Sequence, residues 1–229
     1  MTNVVVTGAS RGLGLALTRG LIKSGDRAWL ISRTEPPSCE GVHTTWIPLD
    51  LAAPEQLSKA SLESIGEEPI HLLIHSAGIW EAESFENTSP QALLDILNVN
   101  VSSAVLVVRL LERNLREGHG NVVFIGSSWG LENSRTDRVA SAASKFGLRG
   151  AAYALREYFR EAKVRVTCIN SSWFSPDQPP EEKTHPVDGH DPRPIPVADI
   201  VELVRCISSL SPATCVKELV ITATTDPDV

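Results

Sequence analysis

Cysteine is scarce, and it is not arranged for chemistry. Cys39, Cys168, Cys206 and Cys215 show no CxxC spacing and no metal-ligand pattern, so neither a disulfide framework nor a metal site is expected. Each reads as a small buried apolar group in a reduced, cytoplasmic protein. There is no basic run, and the formal charge is −7. This argues against nucleic acid and anionic membrane as main partners. Long hydrophobic runs are missing as well; the longest are strand-length, so no bilayer span is expected. Met1-Thr2-Asn3-Val4-Val5-Val6 enters a strand at once and leaves no room for a secretory leader. Aromatics make up 5% of the chain, and only Tyr153 and Tyr158 are tyrosines.

What is present is regular alternation. Val4–Val6 is a short β-branched run ending in a Gly-rich turn, and Leu13–Lys23 has helical apolar spacing. Further strands are expected at 28–32, 46–49, 70–74, 121–126, 164–169 and 218–222. Helices are expected at 54–65, 90–117, 138–162 and 197–210. Strands apolar on both faces that alternate with helices predict an α/β fold. The expectation is one Rossmann-type domain over 1–229, a doubly wound parallel sheet with helices on both faces. Residues 171–196, rich in Pro, Asp, Glu and His, read as a substrate lid loop within it.

Thr7-Gly8-Ala9-Ser10-Arg11-Gly12-Leu13-Gly14 lies between the first strand and the first helix. Glycines there let backbone approach a pyrophosphate resting on the helix N-terminus. Asp50-Leu51 follows the third strand, and His75-Ser76-Ala77-Gly78 the fourth. Asn100 falls in the long helix, Ser128 after the fifth strand, and Lys145 in Ser144-Lys145-Phe146-Gly147. As a set, these spacings resemble the short-chain dehydrogenase/reductase family over nearly the whole chain. Each residue alone has a plainer reading, as a strand end, a helix cap or a surface lysine. The resemblance implies a dinucleotide held by Gly8, Ser10, Arg11, Gly12, Leu13, Gly14, Asp50, Leu51, Ser76, Ala77, Gly78, Lys145 and Phe174. It also implies dimers or tetramers formed through the helices at 90–117 and 138–162.

The second strand ends Ile31-Ser32-Arg33-Thr34, with no carboxylate to repel a 2′-phosphate. A hydroxyl at Ser32 and guanidiniums at Arg33 and Arg11 suit that phosphate, so NADPH is expected rather than NADH.

The resemblance fails at one place. The family carries a catalytic Tyr four residues before its Lys; here Ser141 stands there. The resemblance implies catalytic roles for Ser128, Lys145, Asn100 and, in the vacated place, Ser141. A serine hydroxyl is shorter and a far weaker acid than a phenol. Tyr153 and Tyr158 are 12 and 17 residues further along the helix, roughly 18 and 25 Å at about 1.5 Å per residue, too far to substitute. The family's Asn-Pro-Gly is also changed, to Asn170-Ser171-Ser172, with Trp129, Trp173 and Phe174 as a possible aromatic wall. Three readings follow. One is conjugate hydride addition to an enone or enal in a biosynthetic pathway, whose enolate needs only hydrogen bonds. Another is carbonyl reduction with a replacement acid such as His75, His185 or His190. The last is dinucleotide binding without catalysis. The substrate is expected to be a small molecule, with His185, His190 and Arg193 as candidates to meet a carboxylate end.

Overall fold

The computed structural model describes residues 1–39, 41–132, 136–174, 194–224 and 226. Seven strands among them form one parallel sheet: β1 (Asn3–Thr7), β2 (Arg27–Ser32), β3 (His43–Pro48), β4 (Leu72–His75), β5 (Asn121–Ile125), β6 (Arg165–Ser171) and β7 (Glu218–Ile221). Their order is β3-β2-β1-β4-β5-β6-β7. The order reverses between β1 and β4, so a crevice opens at their carboxyl ends, where open α/β sheets bind ligands. Thr7 on β1 lies beside His75 on β4 in the register. The last residues of these strands therefore face one site.

Side chains alternate across the sheet and build two cores. Val5, Trp29, Ile31, Leu73 and Phe124 point to one face. On that face lie α3 (Ser103–Leu110), α4 (Glu112–Gly118) and α5 (Val139–Tyr158). Val4, Val6, Leu30, Ile74 and Val123 point to the other. There they meet α1 (Gly12–Leu21) and α6 (Val197–Ser209), whose Leu17, Val201 and Val204 complete the second core. The period of two in β1 thus fills both cores with Val alone, as a sheet covered on both faces requires.

Several expected elements differ in detail. The helix expected at 54–65 is two short 3-10 turns, Pro54–Gln56 and Ala60–Ile65. The long helix expected at 90–117 starts as α2 (Pro90–Leu97), passes through a π turn at Asn98–Ser102, and continues as α3 and α4. Residues Pro90–Leu110 are, by length and composition, long and apolar enough to cross a membrane, with a mean hydropathy of 1.6. The expectation that no segment reaches that threshold is corrected: Asp95, Asn98, Asn100, Ser102 and Ser103 break the stretch into short apolar runs, while its mean hydropathy stays high. The stretch packs against α5 on one side and leaves Leu94, Leu97 and Val105 exposed on another. Of the expected lid, β6 runs to Ser171, and Phe174 pairs with Ile195. Residues 175–193, including His185, His190 and Arg193, lie outside the described residues.

Candidate active site

The first turn of the site has no slack for side chains. Gly8 and Gly12 have φ of 70° and 56°, conformations that glycine adopts at little cost. A Cβ on Gly8 would lie 2.8 Å from Ala77 Cα, and one on Gly14 only 2.2 Å from Gly8 O. Arg11 stands at the N-cap of α1 without a capping side chain, and the first turn holds no acidic residue. Its N–H groups are left for an anion. Ser10 is half-buried, while Leu13 packs inward in the second core.

The adenine-side residues lie around this turn. Arg11 and Arg33 are exposed, and free to meet a phosphate. Ser32 is buried and donates its hydroxyl to Thr34 O (2.7 Å). Its expected use as a phosphate donor would need that bond to break. Asp50 accepts from Ala52 N (3.0 Å) through one carboxylate oxygen, and Leu51 is buried beside it. Ser76 and Ala77 are half-buried, with Ala77 N donating to Thr7 Oγ1 (3.3 Å).

His75 is a structural residue here. It is buried, with Nδ1 2.9 Å from Thr7 Oγ1 and Nε2 3.2 Å from Val99 O. Burial, reinforced by the nearby Lys145 charge, pushes its pKa down to about 3. A ring held neutral between two partners is no replacement acid at neutral pH.

Lys145 and Asn100 do come together. A Cβ placed on Gly78 would be 3.7 Å from both Asn100 Oδ1 and Lys145 Nζ. Lys145 Nζ donates to Ile125 O (3.0 Å). Burial lowers its pKa to about 8. Facing it are His75, neutral, and Cys168 on β6, whose thiol burial pushes up to about 11. Asn100 sits in the π turn, a feature common at functional sites. Its amide is fully committed: Oδ1 accepts from Ile79 N, and Nδ2 donates to Ile79 O and Ser144 Oγ. Ser128 opens a 3-10 turn, Ser128–Gly130, after β5 and is buried. Gly130, which the motif reading passed over, brings that turn against α5. A Cβ there would lie 2.9 Å from Lys145 C.

Ser141 is enclosed by protein. It is 1% exposed. Its Oγ accepts from Glu81 N (3.2 Å). Glu81, 3% exposed, was not foreseen. Its carboxylate oxygens accept from Ala140 N (2.8 Å) and Ser141 N (2.9 Å). Burial opposes its ionisation. The bonds from the Ser141 hydroxyl and from the N–H groups of Ser141 and Ala140 outweigh that and hold it below the usual carboxylate range. Two weak signals could have found it: an acid three residues past Gly78, and a helix start at Arg138 with no capping side chain.

The other tyrosines are elsewhere, as their spacing requires. Tyr153 donates to Glu218 Oε2 and Tyr158 to Glu112 Oε1. Where the Pro-Gly would be, Ser172 instead pairs with β7, its N donating to Ile221 O (2.9 Å) and its Oγ accepting from Ala223 N (3.0 Å). Trp173 is 63% exposed, Trp129 half-buried, and Phe174 packs on the α1–α6 core.

Comparison with known proteins agrees with this geometry. The family described as short chain dehydrogenase matches residues 2–184. A 3-dehydrosphinganine reductase of Arabidopsis thaliana is 29% identical over 76% of this chain and 54% of its own length. A ketoacyl reductase, HetN, of a Nostoc strain is 32% identical over 75% of this chain and 63% of its own length. The chain thus spans little more than half of these curated relatives. An alcohol dehydrogenase from the archaeon Thermococcus sibiricus, complexed with 5-hydroxy-NADP, has the same fold. It gives a TM-score of 0.81 at 20% identity over 99% of this chain and 98% of that one.

Proposed function

The chain belongs to the short-chain dehydrogenase family, and from that membership we propose that it is an NADPH-dependent reductase of small molecules carrying a conjugated carbonyl. The uncapped start of α1 and the side-chain-free cradle of Gly8, Gly12 and Gly14 suit the pyrophosphate of a dinucleotide. Arg33 and Arg11, with no carboxylate ending β2, favour a 2′-phosphate. When bound, NADPH supplies the hydride.

The chain's own groups receive the substrate oxygen. Lys145 has one carbonyl partner, so its ammonium keeps further N–H donors for the ribose and the developing oxyanion. Ser128 stands at the end of the neighbouring strand, β5, as a second donor. The observation that carries the conjugated-carbonyl reading is the closure of Ser141. With its hydroxyl buried and engaged by Glu81, no side chain at that position gives a proton to an alkoxide. Addition to an enone or enal spreads the charge over an enolate, which two hydrogen bonds stabilise while carbon takes its proton from solvent.

Reduction of an unconjugated carbonyl is the second reading. What favours it is that the relatives named above are a ketoacyl reductase and a 3-dehydrosphinganine reductase. Incubation with NADPH and a panel of enals, enones and saturated ketones, followed by cofactor absorbance, separates the two. Oxidation confined to conjugated substrates supports the first; equal turnover of saturated ketones sinks it. The exposed Leu94, Leu97 and Val105 would be covered by a second copy of the chain, which light scattering checks.

A further inference from the structure

Glu81 belongs to none of the motifs, yet it is among the most constrained groups in the site. A buried carboxylate is costly unless hydrogen bonds replace its water. Glu81 accepts two from the backbone, from consecutive N–H groups at the start of α5. It therefore caps this helix from 59 residues away in sequence. A carboxylate at a helix N-terminus also meets the positive end of the helix dipole.

The cap is one part of a closed network. Asn100 holds Ile79, two residues before Glu81, by two bonds and holds Ser144 by a third. Ser144 Oγ returns to Ser141 O (2.7 Å). The segment after β4, the π turn and the first turn of α5 are thus tied into one unit. Lys145 is the next residue along it. Its ammonium donates to Ile125 O (3.0 Å).

We propose that Glu81 is a positioning residue for Lys145, locking the first turn of α5 so that the ammonium is held at the carboxyl end of β5. The same geometry makes Glu81 and any large side chain at position 141 alternatives for one space. Nearly every atom of Ser141 is covered, so a phenol there would have to expel the backbone at 81. The proposal rests on the reductase reading only for the use to which Lys145 is put.

The test needs no substrate and uses the full chain. Lys145 is titrated by competitive acetylation across the neutral to alkaline range, and NADPH alone is titrated by fluorescence. The unchanged protein should give a Lys145 midpoint of about 8. Glu81→Gln, which cannot accept from both N–H groups, should move that midpoint toward the ordinary lysine value. It should also weaken NADPH roughly tenfold. Glu81→Asp, still a double acceptor, should restore much of both. A folded Glu81→Gln protein with both values unchanged overturns the proposal. Where that variant does not fold, Ser141→Tyr decides. Alone it should disturb the midpoint and the affinity, and with Glu81→Gly, which removes the cap as well, it should recover neither. Ser141→Tyr alone with neither disturbed overturns it equally. Because no substrate enters, a failed substrate panel leaves this result standing.

Discussion

The two halves of the cleft are held together by different kinds of bond. On the nucleotide half, the turn between β1 and α1 is made by the absence of side chains. Gly8 and Gly14 sit where any Cβ would strike backbone, at 2.8 and 2.2 Å. On the other half, the start of α5 is made by a side chain, Glu81, reaching across from the segment after β4. The first half carries the Gly-rich spacing of the resemblance at Gly8, Gly12 and Gly14. The second holds Ser141 and Ser171-Ser172 at the places where the resemblance leads one to expect a Tyr and a Pro-Gly. A backbone-made cradle fits one shared ligand, whereas a side-chain-made wall is open to change with the reaction. The glycine turn therefore bears on the cofactor, and the side-chain wall bears on the substrate.

The sharpest way to break that contrast is at Gly14. Gly14→Val puts carbon against the Gly8 carbonyl, where only backbone could move to relieve it. A loss of about 1–3 kcal/mol of stability is expected. NADPH affinity should fall by roughly 10²-fold, since the cradle itself is displaced. A thermal melt and an NADPH titration read the two. Unchanged binding would mean that this turn does not hold the dinucleotide.

Lys145 is where the two halves meet, and its pKa gives the next largest effect. The folded protein sheds this proton at about 8, whereas the ordinary value is 10.5. Between these pH values the unfolded chain binds more protons, so stability from this group rises with pH across that window. Below about 8 the buried charge is a cost. Lys145→Met should therefore raise the melting temperature of the cofactor-free protein at neutral pH. It should also lower turnover by roughly 10²–10⁴-fold. In the unchanged protein, turnover should decline as pH rises through about 8 and the ammonium is lost. A variant both less stable and equally active would contradict this placement.

Arg33 tests the nucleotide half alone. It is exposed at the end of β2, so Arg33→Ala should leave the fold unchanged. NADPH should weaken by about 10-fold, the scale of one charge-assisted contact of 1.5 kcal/mol or so, with NADH unaffected. Parallel titrations with the two nucleotides check it. Equal losses for both would remove the 2′-phosphate argument.

The sequence made the first half readable because its constraints are local. A Gly-rich turn between a β-branched run and an amphipathic helix is written in consecutive residues, and so is the alternation behind the sheet order. The α5 cap is not local. Helix starts are usually read from a Ser, Thr, Asp or Asn at the cap, and Arg138 offers none. The residue that fills the role lies in another loop, and only the packing of β4 beside β5 brings it there. The π turn was hidden for a similar reason. Asn98–Ser102 fits a helical period, and it is the inward bonds of Asn100 to Ile79 and Ser144 that mark the turn. His75 shows the converse. Its residue type suggested proton transfer, but Thr7 and Val99 occupy both ring nitrogens.

Ser141→Ala is the smallest change and the most discriminating for the rebuilt half. The serine hydroxyl accepts from Glu81 N, and all but 1% of the residue is covered. Removing it leaves one buried N–H unpaired, a cost of about 1–3 kcal/mol. The Glu81 carboxylate keeps its bonds to the N–H groups of residues 140 and 141, which belong to the backbone and survive the substitution. Turnover at saturating NADPH should change by less than about threefold, within what a slight loosening of the α5 cap produces. If Ser141 gave the proton, the loss would instead reach the roughly 10²–10⁴-fold typical of a general acid. A melt that shifts while the rate holds places this residue with the wall; a rate that collapses while the melt holds places it with the chemistry.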